Sequence, residues 1–132
     1  MHETSAEVKV QHLNMIQGII NRLANNSFLV KGWMITVAVA GYGFGFENGS
    51  KKIILLTMIA VILFWVIDAY YLQQERIFRR LYDLCVEGEV KPFSMNVSQI
   101  RSSAPCLMCV MLSYPTNMFY LPFLAAGFLS KF

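Results

Sequence analysis

Two ionisable residues, Lys31 and Asp68, interrupt the two most apolar segments of the chain, 27–46 and 53–72. A short polar connector joins these segments, and its midpoint directly follows Gly49. Lys31 lies as many positions before that midpoint as Asp68 lies after it, so an antiparallel helical hairpin places both residues at one depth. A charged group left unpaired at mid-membrane costs about 2.5–3.5 kcal/mol. The spacing therefore predicts an intramembrane charge pair.

Three interpretations of this pair follow from its chemistry. It gates an aqueous path or relays ions along it, or it is an architectural contact that locks the register of the hairpin. Alternatively, Lys31 extends its ammonium group to the lipid headgroups and makes no pair.

Gly41 and Gly45 form a GxxxG pattern in the first apolar segment. Small residues at this spacing let two helix backbones approach closely. The contact is either between copies of the chain or within the hairpin, and the pattern alone favours neither.

Four amide residues recur at helical spacing before the first apolar segment: Asn14, Gln17, Asn21 and Asn25. Leucine and isoleucine residues follow a second stripe of the same segment, which predicts an amphipathic helix over 6–26. This helix rests on the membrane surface or packs on a second helix. Its amides line a vestibule in a ring of subunits, or they face solvent.

Three arginines, Arg76, Arg79 and Arg80, lie in a polar helix that continues the second apolar segment. They are candidates for contact with a cytoplasmic protein or an anionic ligand, such as a nucleotide or a lipid headgroup. The competing interpretation is that they mark the cytoplasmic side and form salt bridges along the helix.

Catalytic and metal-binding patterns are weak. Cys106 and Cys109 form a CxxC, but zinc needs four ligands, and the histidines at positions 2 and 12 are far away in sequence. No Ser/His/Asp set, phosphate-binding glycine loop or carboxylate dyad is convincing. We expect no enzyme activity, no metal and no cofactor.

The composition indicates a membrane protein. Hydrophobic residues make up 56% of the 132 residues and charged residues only 14%, whereas soluble domains carry about 25% charged residues. This excludes a disordered chain, a coiled coil and a domain that binds nucleic acid through a basic face. We expect the lipid bilayer as a partner and no direct binding of nucleic acid.

The predicted fold is an all-α membrane protein that forms one membrane domain over 1–132. Two or three spans of about 20 residues each leave too little chain for a separate soluble domain. Within the last segment a span over 114–129 is favoured, and a re-entrant or interface-lying segment is the alternative. The predicted elements are an N-terminal amphipathic helix (6–26), a first span (27–46), a second span (53–72) continuing as a cytoplasmic helix to 87, a connector (88–104) and a third, proline-kinked membrane segment (105–130).

The distribution of basic residues predicts the orientation. With three spans, eight of the 11 lysines and arginines lie on one side of the membrane. The positive-inside rule then places the N-terminus in the cytoplasm. Only three basic residues fall on the other side: Lys51, Lys52 and Lys131.

Two stretches carry a resemblance to known proteins: QGIINRLANNSFLVKGW at 17–33 and FWVIDAYYLQQERIFRRLYD at 64–83. They resemble a group of small bacterial membrane proteins with two to three transmembrane helices, mostly uncharacterised, some of them associated with anti-phage defence. The resemblance covers roughly 11–95 and weakens over the last 35 residues. It implies a multi-pass protein of the bacterial inner membrane whose activation disturbs that membrane.

Two function hypotheses follow. The first is a small homo-oligomeric membrane-perturbing or pore-forming effector, opened by a partner or ligand at the basic cytoplasmic helix. The second is a non-conducting anchor or adaptor subunit of a larger complex. A membrane enzyme is a disfavoured third.

Overall fold

The protein is all-helical. A computed structural model describes residues 2–91 and 93–129, with side chains from residue 5 onward. The described residues form five α-helices and no strand. The helices are α1 (His2–Glu47), α2 (Lys51–Glu87), α3 (Ser98–Ser103), α4 (Leu107–Met111) and α5 (Tyr114–Leu129).

Helix α1 is continuous over 46 residues, so the predicted boundary between an amphipathic helix at 6–26 and a span at 27–46 is not a helix end. The reason lies in its packing, because α1 contacts α2 along both halves. In the N-terminal half, Ile16 and Ile20 are buried against Leu81 and Cys85 of α2. The sequence left two positions open for the amphipathic segment, the membrane surface or a second helix. In the structure this segment packs on α2.

A tight turn connects α1 to α2. Gly49 has a positive φ of 60°, a conformation that glycine adopts without steric cost. The backbone N–H of Ser50 donates to the Gly45 carbonyl at 2.9 Å, and that of Gly49 to the Phe46 carbonyl at 3.3 Å. These two bonds are the pattern that commonly terminates an α-helix. They fix the antiparallel hairpin.

Helices α1 and α2 are each long and apolar enough to cross a membrane. Helix α2 has 37 residues and is about 55 Å long at ~1.5 Å per residue, whereas the hydrocarbon core of a bilayer is about 30 Å thick. If 53–72 occupies the bilayer, the remainder of α2 projects beyond it, as predicted for the helix to residue 87.

The core between the helices at the apolar end of the hairpin combines three elements. Met34 and Ala38 of α1, Val61 and Trp65 of α2, and Tyr120 of α5 are buried together. Thus α5 packs on the hairpin and closes it into a three-helix unit.

The last segment is divided, so 105–130 is not one helix. Helix α4 has only five residues, and α5 coincides with the span favoured at 114–129. Thr116 stabilises the junction because its hydroxyl lies within 2.9 Å of the carbonyls of Val110 and Met111. Helix α5 continues through Pro122. Residue 130 and Lys131 lie outside the described residues.

Helix α5 runs antiparallel to α2. Its Tyr120 stacks on Trp65 of α2. Two turns later on α5, Gly127 lies against Met58, which comes two turns before Trp65 on α2. Its 16 residues extend about 24 Å at ~1.5 Å per residue, somewhat less than the ~30 Å hydrocarbon core.

Candidate functional site

Lys31 and Asp68 form an ion pair where α1 crosses α2. The Lys31 Nζ lies 2.6 Å from both carboxylate oxygens of Asp68. The Asp68 side chain is fully buried, whereas that of Lys31 is 24% exposed. The register predicted from the connector is therefore the register of the structure. Because the carboxylate has no contact with solvent, its charge depends on Lys31 for compensation.

Ser27 completes the polar cluster on α1. The Lys31 Nζ donates to the Ser27 Oγ at 2.8 Å, and the Ser27 hydroxyl in turn donates to Asp68 Oδ1. Ser27 is itself buried and lies one helical turn before Lys31. The sequence analysis missed Ser27, although its i,i+4 spacing from Lys31 is a signal that could have identified it.

The third helix covers this cluster. Tyr120 of α5 is buried, and its hydroxyl donates to the Phe64 carbonyl of α2 at 3.5 Å. Its ring stacks on Trp65 with centroids 5.8 Å apart, and the Lys31 Nζ lies 6.0 Å from the ring centre of the adjacent Phe119. Sequence reasoning missed Tyr120, because its position depends on how α5 docks and not on any spacing within the hairpin.

Trp65 links the cluster to the start of the last segment. Its indole N–H donates to the Met111 carbonyl at 3.2 Å. Met111 is the last residue of α4. The ion pair is thus enclosed by α1, α2 and α5, and the chain between α4 and α5 is tied to the same place.

Gly41 and Gly45 face α2, so their pattern serves the hairpin. A Cβ added at Gly41 would overlap the side chain of Thr57, and one at Gly45 would lie 2.6 Å from Ile54 Cγ1. Of the two interpretations left open by the sequence, the structure shows packing within the chain. The contact between copies is not formed by these two residues.

Three of the amide residues, Asn14, Asn21 and Asn25, lie on the side of α1 that faces away from α2, whereas Gln17 lines a cavity with residues of α2. Asn14, Gln17, Asn21 and Asn25 are all exposed, and Gln17 Nε2 donates to Asn21 Oδ1 at 3.0 Å. Because α1 is continuous, this stripe runs on into the apolar half of the helix.

Three glycines follow that same side of α1. Gly18, Gly32 and Gly43 are exposed, and a Cβ added at any of them would meet no atom within 4 Å. At 100° per residue, these glycines lie within about 60° of Asn14, Asn21 and Asn25. We call these six residues the outer face of α1.

The three arginines do not form one cluster. Arg79 is paired with Glu75, with 2.6 Å between Nη2 and Oε1, and faces a different cavity from the other two. Arg76 and Arg80 line a cavity of about 440 Å³ between α2, α3 and the two residues that follow α3. Of the three arginines, only Arg76 and Arg80 therefore share a cavity.

The cysteines are separated in space. Cys85 is buried beside His12, with 3.7 Å between its Sγ and Nδ1; burial raises the pKa of the Cys85 thiol, and the positive charge of Lys9 partly offsets this rise. Cys106 and Cys109 are exposed, with their sulfurs 2.6 Å apart. Among the residues with described side chains, no three His, Cys, Asp or Glu side chains are grouped so as to hold a metal ion.

Comparison with known proteins gives no match to a protein-family model, to a curated protein or to a solved structure.

Proposed function

We propose that the chain is a homo-oligomeric effector of the bacterial inner membrane that perturbs or permeabilises the bilayer when its helices repack. In this proposal the N-terminus is cytoplasmic, and the Lys31–Asp68 cluster is the closed state of a gate. The resemblance of 17–33 and 64–83 to small bacterial membrane proteins suggests anti-phage defence as the biological setting.

The observation that carries the proposal is the fully buried Asp68. Ionisable groups within apolar spans are costly and mark ion paths or proton relays in many membrane proteins. Here one carboxylate of α2 is held by Lys31 and Ser27 of α1, and Phe119 of α5 lies next to Lys31. Loss of the ion pair would weaken the contact between α1 and α2. It would also weaken the packing of α5 over the pair.

The requirement for several copies follows from the packing of a single chain. The buried side chains of Met34, Val61, Trp65 and Tyr120 occupy the space between α1, α2 and α5. A path for ions would have to form between chains.

The outer face of α1 is the surface that best suits contact between copies. It carries no charged side chain between Val10 and Phe46. Its glycines allow close approach of helices in lipid, and its asparagines both donate and accept hydrogen bonds, so the same amides of two copies can pair. An exposed glycine inside a helix otherwise lowers stability by about 0.5–1 kcal/mol relative to alanine.

A route for triggering runs from the arginine cavity to the gate. Arg76 Nη2 contacts the Ser113 Oγ at 3.4 Å, and α5 begins at the next residue. A ligand or cytoplasmic partner that displaced this segment would move α5, and with it Tyr120.

The test is ion flux in liposomes that contain the purified protein. A potential-sensitive dye reports depolarisation, and the matched variants are Lys31→Gln, which breaks the pair, and Arg22→Gln, which removes an exposed charge elsewhere on α1. We expect Lys31→Gln to depolarise the vesicles at least several-fold faster than the unchanged protein. The control Arg22→Gln should depolarise them at the rate of the unchanged protein. Equal, background-level flux for all three properly inserted proteins would contradict the proposal.

A non-conducting anchor or adaptor is the second candidate, and a specific observation favours it. Both charges of the pair are satisfied within one chain, which is what a purely architectural lock requires. The charge swap Lys31→Asp with Asp68→Lys separates the candidates. If the chain is an adaptor, the swapped protein folds and binds a foreign protein in fixed stoichiometry. If the pair is a gate, the swapped protein shows altered ion conduction.

A further inference from the structure

The cavity at Arg76 and Arg80 has the composition of an anion-binding site. Arg76 and Arg80 lie one turn apart on α2, and Ser103 lies on the opposite wall, where its hydroxyl donates to the Ile100 carbonyl at 3.0 Å. Ile77 and Ile100 supply apolar surface beside them. The cavity thus combines two positive charges with an apolar lining.

Neither arginine has an acidic partner among the residues whose side chains are described. The nearest acidic residue on the helix, Glu75, is taken by Arg79, and Asp83 lines the separate cavity that contains Arg79. Like charges at i,i+4 on a helix repel each other by a few tenths of a kcal/mol. An anion between Arg76 and Arg80 would remove this repulsion.

The far wall of the cavity is held in place by hydrogen bonds to α2. Gln73 Nε2 donates to the Pro105 carbonyl at 2.9 Å, and Arg101 Nη2 donates to Gln74 Oε1 at 3.1 Å. The shape of the cavity therefore depends on contacts formed without a ligand, and binding needs little reorganisation.

We propose that this cavity binds a phosphate group. Guanidinium groups bind phosphate oxygens through paired N–H donors, and the two arginines together match its charge. Arg76 follows the predicted end of the second span, at Leu72, by one helical turn, which places it at the level of lipid headgroups. The phosphate is carried by an anionic lipid or by a soluble compound, and the chemistry of the site is the same for both.

This inference deepens the proposed function by naming the trigger, but its test measures binding and does not depend on conduction. The full chain in detergent is titrated with dioctanoyl phosphatidylglycerol, with dioctanoylglycerol, which lacks the phosphate, and with inorganic phosphate. Native mass spectrometry counts the adducts. The variant is Arg76→Gln with Arg80→Gln, and the matched control is Arg79→Gln, which removes the same charge from the same helix outside the cavity.

We expect the double variant to weaken binding of phosphatidylglycerol, of inorganic phosphate or of both at least tenfold, and Arg79→Gln to change it less than twofold. If the double variant loses only the binding of phosphatidylglycerol, the phosphate group is carried by a lipid headgroup. If it loses the binding of inorganic phosphate, the phosphate group is carried by a soluble compound. The proposal is overturned if the double variant binds as the unchanged protein does, if Arg79→Gln weakens binding equally, or if dioctanoylglycerol binds as tightly as the phospholipid.

A second variant keeps the test valid if the double glutamine protein fails to fold. Arg76→Lys with Arg80→Lys retains the charge but loses the paired N–H geometry. We expect weaker binding than in the unchanged protein at an unaltered helical circular-dichroism signal. Binding equal to that of the unchanged protein would contradict a guanidinium–phosphate contact.

Discussion

Asp68 has no access to solvent, whereas Lys31 keeps 24% of its side chain exposed. The two partners are therefore not equivalent. A lysine that loses its partner can extend its flexible chain towards the headgroups, but an aspartate on the inner side of the pair is left with the hydrogen bond from Ser27.

This asymmetry predicts different effects of the two single substitutions. Lys31→Gln leaves a buried carboxylate without a cation and should destabilise the fold by about 3–5 kcal/mol. Asp68→Asn should destabilise the fold by less than Lys31→Gln does. Thermal unfolding in one detergent, followed by circular dichroism, measures both.

The control is the double variant Lys31→Met with Asp68→Leu, in which apolar groups replace the pair. Such replacements are often neutral or stabilising, so we expect unfolding close to that of the unchanged protein. A larger loss for Asp68→Asn than for Lys31→Gln would contradict the burial described for the pair.

The cysteines give a second prediction at this scale. Burial raises the pKa of Cys85, so below that pKa its thiol stays protonated and poorly nucleophilic. Cys106 and Cys109 are exposed. At pH 7.5, N-ethylmaleimide should modify both exposed cysteines at least tenfold faster than Cys85, as peptide mass spectrometry would show, and denaturant should abolish the difference. Rapid labelling of Cys85 in the folded protein would be inconsistent with its burial.

At the scale of the helices, the glycines of α1 have two distinct roles. Gly41 and Gly45 admit Thr57 and Ile54 of α2, whereas Gly43, midway between them, faces open space. These positions lie within two turns of one another, so they form a matched set for substitution.

We expect Gly41→Ala to lower the free energy of unfolding by about 1–3 kcal/mol, because the added methyl group overpacks the hairpin. Gly43→Ala should leave the fold unchanged or stabilise it by up to about 1 kcal/mol through its higher helix propensity. Denaturant titration of the detergent-solubilised protein measures both values. Equal effects at the two positions would argue against the hairpin packing described.

Particular residues show how much of this arrangement was predictable. The positions of Lys31 and Asp68 about the connector predicted their pairing, because a tight turn leaves an antiparallel hairpin little freedom of register. The span favoured over 114–129 within the apolar last segment coincides with α5. The continuity of α1 was not predicted, since it depends on the packing of Ile16 and Ile20 against α2. The docking of Tyr120 is likewise a tertiary contact that no local pattern encodes.

At the scale of the whole molecule, the arginine cavity and the outer face of α1 are the two surfaces on which the proposals rest. We propose the first as the site of the trigger and the second as the surface of assembly. Gly32→Leu with Gly43→Leu places bulky side chains on the outer face without touching the hairpin, because neither glycine has a neighbour within 4 Å of an added Cβ. We expect this variant to keep the stability of the chain and to lose assembly, as seen by cross-linking in membranes.

We propose that the chain acts as an assembly of identical copies, because buried side chains occupy the space between α1, α2 and α5. The most direct measurement is the mass of the particle released from native membranes into detergent, determined by native mass spectrometry. We predict an integer multiple of the chain mass, at least two, reduced to a single copy by Gly32→Leu with Gly43→Leu. A single chain, alone or bound to a different protein, would contradict the claim.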